Sequence, residues 1–462
     1  MSRPVNTIVE PKEHIARLWG KQKIKEGETY RMMRYVLKAE HEGTTLLHNV
    51  VTGQLVALED AEAKVFNALP VTYSDKIEQL VSKHYLVPEG YDEHQQVVSL
   101  RKILRMLSVS KGEQSITKYS ILPTTACNAR CYYCFEQGVV PHTMNEETAG
   151  DIVDFINVMH GDGNKVYITW FGGEPTVASN RISQISKGLT EHGIEFESTI
   201  VTNGYLFDEA LADTARGLWK LTSAQIAVDG TERNNNEIKS FVNAKDNPYH
   251  RVLRNIGLLL ERSISVNLRM NFDLNNHEDF HGLLNDLKNM YGDKYTGKLH
   301  VFATPVLGKH RDHNGILNHG SDTWIDRKVS ELSDLSRRYG FSQPTIKLPC
   351  LEYSSCSAGD DAYVLIGPSG HLGRCLECVD VSDAVGTIEA GVTDKALYDS
   401  WKDIADYKKC AKCCLYPWCV KMRHCSSGDR CYRLDDRKQC MHTMREKYVS
   451  YIERMDTNHV HV

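Results

Sequence analysis

Fourteen cysteines fall into two groups along the 462-residue chain, and this distribution constrains the fold more than any other feature of the sequence. Cys127, Cys131 and Cys134 lie within one stretch of eight residues, and the other eleven all lie between Cys350 and Cys440. Thiols that only fill a core would be scattered, so we interpret both groups as metal ligands. The alternative, a disulfide-rich C-terminal segment, fits the even count but requires an oxidising compartment.

The N-terminal sequence bears on that compartment. Arg3, Glu10 and Lys12 stand where a secretory signal would have an apolar stretch. No apolar run approaches the ~18 residues that a membrane span needs. We therefore expect a cytoplasmic protein with reduced thiols and no membrane partner. A formal net charge of -5 also argues against nonspecific electrostatic binding of nucleic acid by the protein surface as a whole.

Residues 1–108 are predicted to form a winged-helix-like domain, because short strands are followed by three helices. The predicted strands are Tyr30–Ala39, Thr45–Val50 and Leu55–Leu58, and the predicted helices are Asp60–Leu69, Asp75–Tyr85 with Ser74 as N-cap, and Glu93–Leu107. DNA binding is the obvious alternative for such a domain. The candidate recognition helix, residues 75–84, is nearly neutral and has no Arg to contact bases, so we expect no nucleic-acid partner.

From Thr117 onward strands and helices alternate, which predicts a parallel sheet with right-handed crossovers. The predicted strands are Thr117–Leu122, Val166–Phe171, Ser198–Val201, Ala224–Val228, Ile264–Phe272 and Leu299–Ala303, with helices near 145–160, 178–192, 208–219, 248–262 and 278–291. A full eight-unit barrel takes about 250 residues, more than are available. We therefore predict an α/β fold with a partial (β/α)6 barrel over 109–310, a bridging region over 311–343, and a cysteine-rich segment over 344–462 that needs metal to fold.

The first cysteine group directly follows the first predicted barrel strand. Cys127, Cys131 and Cys134 have the spacing CxxxCxxC. Three thiolates at this spacing suit three corners of a cubane iron–sulfur cluster. A zinc site usually has a fourth ligand nearby, and no fourth cysteine is close here. One iron would therefore stay open to a substrate or cofactor.

Polar motifs also follow the next strands. Gly172-Gly173-Glu174-Pro175 comes after the second strand; its glycines would let a ligand approach the backbone, and its carboxylate could hold an ammonium group. In isolation such a motif would be an ordinary turn. The later strands carry Thr202-Asn203-Gly204, Asp229-Gly230, and Arg269 with Met270 and Asn271. All of these motifs belong to the carboxyl rim, where barrel active sites are built.

These residues resemble the radical S-adenosylmethionine (radical SAM) superfamily. The likeness lies in CxxxCxxC with the aromatic Tyr133 before its last cysteine, in Gly-Gly-Glu-Pro and in Thr-Asn-Gly, and it covers about residues 117–305. It implies a [4Fe–4S] cluster whose open iron binds the amino and carboxylate groups of SAM, with Glu174 and the Gly172–Gly173 backbone holding the amino group. Reduction would then release a 5′-deoxyadenosyl radical that abstracts a hydrogen atom.

The resemblance also implies further SAM-binding residues, and it has two departures. The further residues are Tyr133, Thr202, Asn203, Asp229, Lys239, Arg269 and Asn271. Ala227-Val228-Asp229-Gly230 stands where the family often has Ser-Ile-Asp-Gly. The Arg commonly found after that motif has no clear counterpart, and Lys239 is the nearest candidate for the contact to the SAM carboxylate.

The C-terminal cysteines resemble the SPASM extension of peptide-modifying radical SAM enzymes. The matching residues are Cys356, Gly370 and Cys375 in its first half, and Cys410, Cys413 and Cys419 in its second. The next expected cysteine position holds Arg423, with Cys425 two residues later. The resemblance implies two auxiliary [4Fe–4S] clusters, three clusters in all. Their ligands would be Cys350, Cys356, Cys375 and Cys425 for the first, and Cys410, Cys413, Cys419 and Cys440 for the second.

Alternatives remain for these C-terminal thiols. Zinc ribbons are one, and Cys431 in place of Cys440 is another. Cys378, Cys414 and Cys431 are left over as spare buried thiols. A solvent-facing one beside a cluster would be an exchangeable ligand or an acid–base group, and Cys378 is the candidate for such a catalytic role.

A winged-helix-like module ahead of such an enzyme resembles the leader-recognition domain of ribosomal-peptide maturases. Such a module can add a peptide as a strand to a hairpin edge, here Thr45–Leu58. The resemblance implies a precursor peptide bound through its leader and an external one-electron donor such as flavodoxin or ferredoxin. The expected product is a Cys thioether cross-link. The alternatives are carbon–carbon cross-linking or epimerisation, sulfatase-type maturation, and a non-catalytic iron–sulfur protein that binds peptides or senses redox state.

Overall fold

The computed structural model describes residues 5–24, 27–41, 43–109, 115–161, 163–306, 322–341, 348–353, 356–379, 381–404, 410–420, 424 and 448. These residues form a four-stranded, a ten-stranded and a three-stranded sheet. The predicted α/β class, with a large parallel sheet and a cysteine-rich C-terminal region, is confirmed. Within the described ranges, no helix combines the length and the apolar character needed to cross a membrane.

The N-terminal domain is built on an antiparallel meander. Its strands are β1 (Val5–Val9), β2 (Thr29–Met32), β3 (Val36–His41), β4 (Thr44–Asn49), β5 (Leu55–Leu58), β6 (Val71–Thr72) and β7 (Leu86–Pro88), and its helices are α1 (Glu13–Trp19), α2 (Asp60–Asn67), α3 (Glu78–Ser82) and α4 (Glu93–Val109). The four-stranded sheet has the order β1-β5-β4-β3, and β2 pairs with β6 and β7 in the three-stranded sheet. Strands β3 to β5 followed by α2, α3 and α4 give the predicted winged-helix-like order.

Several N-terminal boundaries differ from the sequence prediction. The single strand predicted over Tyr30–Ala39 is two strands in different sheets, because the chain turns after Met32 and Met33 N donates to Tyr85 O at 3.0 Å. The helix predicted to run to Tyr85 ends at Ser82, where the chain turns into His84 with a φ of 59°. Ser74 occupies the cap position of a short 3-10 turn, but its side chain makes no cap hydrogen bond. The sequence prediction also missed β1 and α1.

Six parallel strands form the centre of the ten-stranded sheet. They are β8 (Lys118–Thr124), β9 (Val166–Gly172), β10 (Phe196–Thr202), β11 (Leu221–Ala227), β12 (Ser265–Phe272) and β13 (Leu299–Pro305). The helices between them are α5 (Glu146–Met159), α6 (Ser179–Glu191), α7 (Glu209–Gly217), α8 (Glu232–Lys239), α9 (Pro248–Glu261) and α10 (Phe280–Tyr291). Each strand pairs in parallel with the next one along the chain. All six predicted strands are present, and only α8 was not predicted.

Alternation along these strands separates a packed face from an accessible one. In β10, for example, Phe196, Ile200 and the residues in phase with them are buried, whereas the residues between them are partly exposed. The buried side chains join those of the surrounding helices in one large apolar cluster, which includes Trp170 and Trp219. The other face includes Thr169 and stays partly accessible. In the described part of the chain the six parallel strands form an open sheet and not a complete barrel.

Side-chain caps begin several of the crossover helices. Asn145 accepts a hydrogen bond from Thr148 N at 2.7 Å at the start of α5. Asp208 accepts one from Leu211 N at 2.8 Å at the start of α7. Such caps satisfy backbone donors that the first helical turn leaves unpaired. They fix where each loop at the carboxyl rim gives way to a helix.

The C-terminal region extends the same sheet. Its elements are α11 (Asp322–Arg338), β14 (Tyr363–Ile366), β15 (His371–Gly373), β16 (Gly386–Thr387), β17 (Gly391–Val392) and α12 (Lys395–Ser400). Strand β14 pairs in parallel with β8, on the side of β8 away from β9, and β15 to β17 follow in antiparallel order. The segment predicted to start a separate domain at 344 is thus joined to the barrel through backbone hydrogen bonds.

The N-terminal domain packs directly on the cysteine-rich region. A second apolar cluster contains Tyr35 and Val51 from the first and Leu351, Cys413 and Tyr416 from the second. Leu351 N donates to Val51 O at 3.0 Å, which joins the two backbones. The first 109 residues therefore serve as part of the support for the C-terminal cysteines.

Candidate active site

The first cysteine group lies in the loop that follows β8. Cys127, Cys131 and Cys134 are partly buried, and none of them forms a disulfide. Burial raises the pKa of the Cys127 thiol to about 12 and that of Cys134 to about 11. Three partly buried thiolates so close in sequence therefore need positive charge beside them, and coordination to metal deprotonates a thiol outright. This donor set fits a [4Fe–4S] cluster.

A single-ion site is the simpler alternative for the same loop. Within the described residues, no group of three His, Cys, Asp or Glu side chains is close enough to hold a single ion. In a cubane each thiolate binds a different iron at its own corner, so the ligands stand farther apart than around one ion.

Gly172 and Gly173 form a turn directly against the cysteine loop. Gly172 has a φ of +119°, and a Cβ there would stand 2.2 Å from Thr124 O. A Cβ on Gly173 would stand 2.5 Å from the carbonyl oxygens of both Thr125 and Ala126. Neither position can accept a side chain without moving the backbone that leads to Cys127. The close approach seen at this motif is made by the chain's own backbone, and the predicted approach of a ligand stays a prediction.

Glu174 is buried at the same rim and joins the ends of β9 and β10. Its Oε1 accepts from Thr176 N at 3.1 Å and from Thr202 Oγ1 at 2.7 Å, and its Oε2 accepts from Asn203 N at 2.7 Å. Burial raises its pKa, while these hydrogen bonds act in the opposite direction. The structure thus brings Glu174, Thr202 and Asn203 together as predicted. Asn203 also reaches the cysteine loop, because its Nδ2 donates to Asn128 Oδ1 at 2.7 Å.

A buried polar network lies beneath the same loop. Lys239 Nζ is 2.8 Å from Asp229 Oδ2 and 2.9 Å from the Tyr133 hydroxyl, which itself donates to Asp229. Asn271 Nδ2 donates to that hydroxyl at 2.9 Å and to Asp229 Oδ1 at 3.1 Å. The side chains of Lys239 and Asp229 are 3% and 0% exposed. Four residues predicted to bind SAM therefore bind one another, and they hold the aromatic residue of the cysteine motif in place.

Two donors beside this network lack a partner. Arg269 Nε and Asn128 Nδ2 are buried, and neither has a hydrogen-bond partner among the described residues. Burial lowers the pKa of Arg269, and nearby Tyr133 and Asp229 partly offset that effect. Buried donors are almost always satisfied, so unpaired ones mark a place for a ligand or water. The sequence named Arg269 but missed Asn128, although its position inside CxxxCxxC was a usable signal.

The first half of the C-terminal cysteine set is organised by Arg374, which is 1% exposed. Its Nε and Nη2 donate to Ala358 O at 3.0 and 2.8 Å, and Nη2 also donates to Asp360 O at 2.7 Å. Ala358 follows Cys356 by two residues, and Arg374 directly precedes Cys375. One buried guanidinium therefore holds together the backbones that carry two predicted ligands of the first auxiliary cluster.

Cys378 lies beside that pair. The Cys378 thiol donates a hydrogen bond to the Cys375 sulfur, and this hydrogen bond lowers the pKa of Cys375 to about 7. Cys378 N also donates to Cys375 O at 3.1 Å. The residue predicted as a catalytic candidate is thus a direct neighbour of a predicted cluster ligand.

The second half is held by Arg101 from α4, which is 4% exposed. Its Nη2 donates to the carbonyl oxygens of Tyr416, Pro417 and Cys419, the last two at 3.1 Å. Its Nε donates to Glu352 O at 3.1 Å. The guanidinium also lies 4.3 Å from the centre of the Tyr416 ring. Arg101 therefore ties the loop of Cys410, Cys413 and Cys419 to the segment that follows Cys350.

Three of the predicted cysteines cannot be placed. Cys425, Cys431 and Cys440 lie outside the described residues. The choice between Cys431 and Cys440 as the closing ligand therefore stays a prediction, as does the pairing of Cys425 with the first auxiliary cluster. Cys414, predicted to be a spare thiol, is buried in the apolar cluster with Leu415 and Tyr416.

Comparison with known proteins assigns the barrel. Residues 121–287 match the model of the Radical SAM superfamily. The chain contains a radical SAM domain. Its match spans β9 to β12 with the cysteine loop, the Gly-Gly-Glu turn and the Asp229 network, and it supports SAM and a [4Fe–4S] cluster as the cofactors of that domain. A search of curated proteins finds no match to the chain.

Solved structures share the fold of the chain over most of its length. Native anSMEcpe with bound AdoMet is 15% identical with a TM-score of 0.56, and the match covers 73% of this chain and 100% of that one. Native anSMEcpe with AdoMet and the Cp18Cys peptide is 15% identical with a TM-score of 0.54, covering 73% and 99%. Streptococcus suis SuiB bound to S-adenosylmethionine is 14% identical with a TM-score of 0.50, covering 85% and 94%.

Proposed function

We propose that the chain generates a 5′-deoxyadenosyl radical from SAM and uses it to modify a ribosomally made precursor peptide, with a Cys thioether as the product. The observation that carries the proposal is the rim of the radical SAM domain, where the loop with three partly buried thiols packs through its backbone against the Gly172–Gly173 turn that leads to the buried Glu174. When bound there, the [4Fe–4S] cluster and SAM supply the radical that abstracts hydrogen. The described side chains hold and orient SAM.

Glu174 is suited to the SAM ammonium group. In the described part of the chain its Oε2 accepts one hydrogen bond, from Asn203 N, and a carboxylate oxygen can accept more. An arriving ammonium would offset the burial that raises the pKa of Glu174. The carbonyl groups around Gly172 and Gly173 would supply further acceptors.

Arg269 is a better ligand for the SAM carboxylate than Lys239. The ammonium of Lys239 already pairs with Asp229 and Tyr133 in a site that is 3% exposed. Among the described residues, the buried Nε of Arg269 has no hydrogen-bond partner beside the same network. A guanidinium also matches a carboxylate in a bidentate geometry that an ammonium cannot give. We therefore assign the carboxylate to Arg269, with Lys239 as support for the loop.

A peptide is the proposed substrate class. The anSMEcpe structure that shares this fold contains AdoMet together with the Cp18Cys peptide. The accessible face of the open sheet leaves room for a chain beside the radical site. The N-terminal domain, with its short strands, is the proposed element that binds the leader.

The C-terminal cysteines are proposed to hold two auxiliary [4Fe–4S] clusters, which gives three clusters per chain. Arg374 and Arg101 support this view, because each holds together segments that carry several of the proposed ligands. Forming a thioether removes one hydrogen from carbon and one from a thiol, so one electron more than the radical takes must leave the substrate. Auxiliary clusters are suited to accept it, and an external one-electron donor such as flavodoxin or ferredoxin would reduce the first cluster.

The test uses the full chain, reconstituted anaerobically with iron and sulfide and reduced with dithionite. We expect 5′-deoxyadenosine from SAM by mass spectrometry, and none from the variant with Cys127, Cys131 and Cys134 all changed to Ala. Cys414→Ala is the matched control, because it removes a thiol from outside the proposed ligand sets. Formation of 5′-deoxyadenosine by the triple variant would overturn the assignment of the radical site.

The product is tested on the short peptides encoded beside the gene. A thioether removes hydrogen from the peptide and also removes a thiol that iodoacetamide can alkylate. A carbon–carbon cross-link removes hydrogen but leaves every thiol reactive, and an epimerisation leaves the mass unchanged in ordinary water. Loss of mass with full alkylation would reject the thioether and keep the radical chemistry.

A further inference from the structure

The hairpin predicted to accept a peptide strand has both of its edges covered. Strand β4 pairs with β3 along one side, and β5 pairs with β1 along the other. In the second pair Val5, Asn6 and Thr7 stand opposite Leu58, Ala57 and Val56. A segment from the beginning of the chain thus occupies the edge of β5 as an antiparallel strand, which is the position that an added peptide would take.

Strand β1 packs less deeply than the strand it pairs with. Asn6 and Thr7 are exposed, Ile8 and Val9 pack against the apolar cluster but are only partly buried, and the register shifts between Thr7 and Val9. In contrast, Leu55, Val56 and Leu58 of β5 are all buried. Since apolar burial is the main source of strand stability, β1 should leave at much lower cost than β4 or β5. A bulge also weakens the local ladder.

The residues after β1 are firmly anchored. Lys12 N donates to Thr52 O at 2.8 Å. In α1, Ile15 is 2% exposed, and the ring of Trp19 stacks on His84 at 4.2 Å. Strand β1 is therefore a short segment held mainly by its backbone, attached to a fixed point at Lys12. It can swing away from β5 without unfolding α1.

The far edge of the same sheet is less suited to a peptide. Strand β3 carries Lys38 and Glu40, whose charged groups are 3.1 Å apart, and Lys38 Nζ also donates to Asn67 Oδ1 at 2.7 Å. Charged side chains on an edge strand oppose the addition of another strand. Strand β1 has no charged residue, and its Val, Asn, Thr and Ile side chains are those of an ordinary extended segment.

We propose that β1 is an internal stand-in for the leader peptide, and that the leader displaces it from the edge of β5. The exchange rests on the proposed function, because it requires a peptide substrate. The chemistry of β1 defines the partner: an extended, uncharged segment of about five residues, rich in β-branched side chains and without proline. Binding of the leader would release β1 and leave β5 paired throughout.

The first experiment asks whether the edge of β5 accepts a strand from solution. The probe is a fluorescent synthetic peptide with the sequence of Val5–Glu10. The variant has Val5–Val9 replaced by a Gly-Ser segment of equal length in the otherwise full chain. We expect the probe to bind this variant, and to bind the unaltered chain more weakly by about tenfold if β1 covers the edge nine-tenths of the time. Equal binding to both proteins would overturn the proposal.

The second experiment uses the precursor and the unaltered chain. On addition of each short peptide encoded beside the gene, hydrogen exchange is followed by mass spectrometry. We expect the correct precursor to raise exchange in 5–9 and to leave 55–58 protected. Protection of β3 with no change in β1 would place the leader on the far edge and reject the exchange. This readout does not depend on the folding of a variant.

Two controls separate this inference from the proposed function. Lys38→Ala changes the far edge and should leave probe binding unchanged. Formation of 5′-deoxyadenosine is measured on both proteins in the absence of peptide. Normal 5′-deoxyadenosine with no strand exchange rejects the inference alone, whereas strand exchange without 5′-deoxyadenosine rejects the radical function alone.

Discussion

The two cysteine regions of this protein are built in opposite ways. Cys127, Cys131 and Cys134 lie on one loop, and the groups that fix that loop lie at the ends of neighbouring strands. The described C-terminal cysteines come from segments far apart in sequence, which are held together by Arg374 and Arg101. The first site is organised by the barrel that carries it, and the second depends on a domain at the other end of the chain.

This difference predicts which of the two cysteine sites a distant substitution will affect. A change in the N-terminal domain should reach the auxiliary cysteines and spare the radical site. A change in the Gly-Gly-Glu turn should do the reverse. The predictions below test this division with iron content, SAM binding and stability as separate readouts.

The largest effect is expected from Arg101→Met. The change removes the donor shared by the carbonyls of Glu352, Tyr416, Pro417 and Cys419, and the bonds to Tyr416 and Pro417 are the buried ones. At about 1–3 kcal/mol for each unsatisfied buried group, the loop should lose about 4 kcal/mol. We expect iron to fall from about twelve toward about eight or four per chain, while SAM cleavage survives.

The control for this change is Arg17→Met. Arg17 forms an exposed ion pair with Glu13, and such pairs contribute about 0–1 kcal/mol. Iron and 5′-deoxyadenosine should both stay unchanged in that variant. If Arg101→Met abolishes SAM cleavage and keeps all its iron, the division between the two sites is wrong.

Gly173→Ala changes the radical site and not the C-terminal cysteine region. The new Cβ would stand 2.5 Å from the carbonyl oxygens of Thr125 and Ala126, so the backbone before Cys127 must move. Overpacking of this kind costs up to about 3 kcal/mol, which corresponds to about 100-fold in the dissociation constant of SAM. Equilibrium dialysis with SAM measures the dissociation constant of the variant and of the unaltered chain.

Gly217→Ala is the matched control, because a Cβ on Gly217 meets nothing within 4 Å. Its SAM affinity should equal that of the unaltered chain. Auxiliary iron should be unaffected in both glycine variants. Tight SAM binding by Gly173→Ala would show that the turn does not shape the site.

Much of the first site was predictable from sequence, because its information is local. Strand periodicity placed β8 to β13, and the motifs at their ends met at one rim as expected. The ion pair of Lys239 with the buried Asp229 was not predictable in this way, since sequence shows a cation but not its partner. In the C-terminal region the cysteine spacing was visible in the sequence, but the structural roles of Arg101 and Arg374 were not. No local pattern links Arg101 to Tyr416 and Cys419, which follow it by 315 and 318 residues.

The N-terminal domain shows the same limit. Strands β4 and β5 were predicted, because their apolar residues and the turn between them are local signals. The sequence prediction missed β1, which is short and pairs with a strand about fifty residues away. Isolated propensity cannot report such a partner.

Arg269→Gln tests whether Arg269 binds the SAM carboxylate at the radical site. If Arg269 binds the SAM carboxylate, the variant should lose about 2 kcal/mol, or about 30-fold in affinity, typical of a buried charge-assisted hydrogen bond. Decarboxylated SAM lacks the group that Arg269 would contact, so both proteins should bind it equally. Equal losses for the two ligands would mean that Arg269 only supports the fold.

The smallest effect concerns the interface between the two ends of the chain. His48 of β4 is fully buried, its Nδ1 lies 2.7 Å from the Tyr448 hydroxyl, and burial lowers its pKa from 6.5 to about 3. The folded chain therefore keeps His48 neutral while the unfolded chain takes up a proton below about pH 6.5. Since the unfolded state binds more protons in that range, stability falls as the pH is lowered from 6.5 toward 3, by up to about 1.4 kcal/mol per pH unit. Urea unfolding at pH 7, 6 and 5 should show this slope in the unaltered chain and a flatter one in His48→Gln, and identical slopes would show that His48 does not report on the interface.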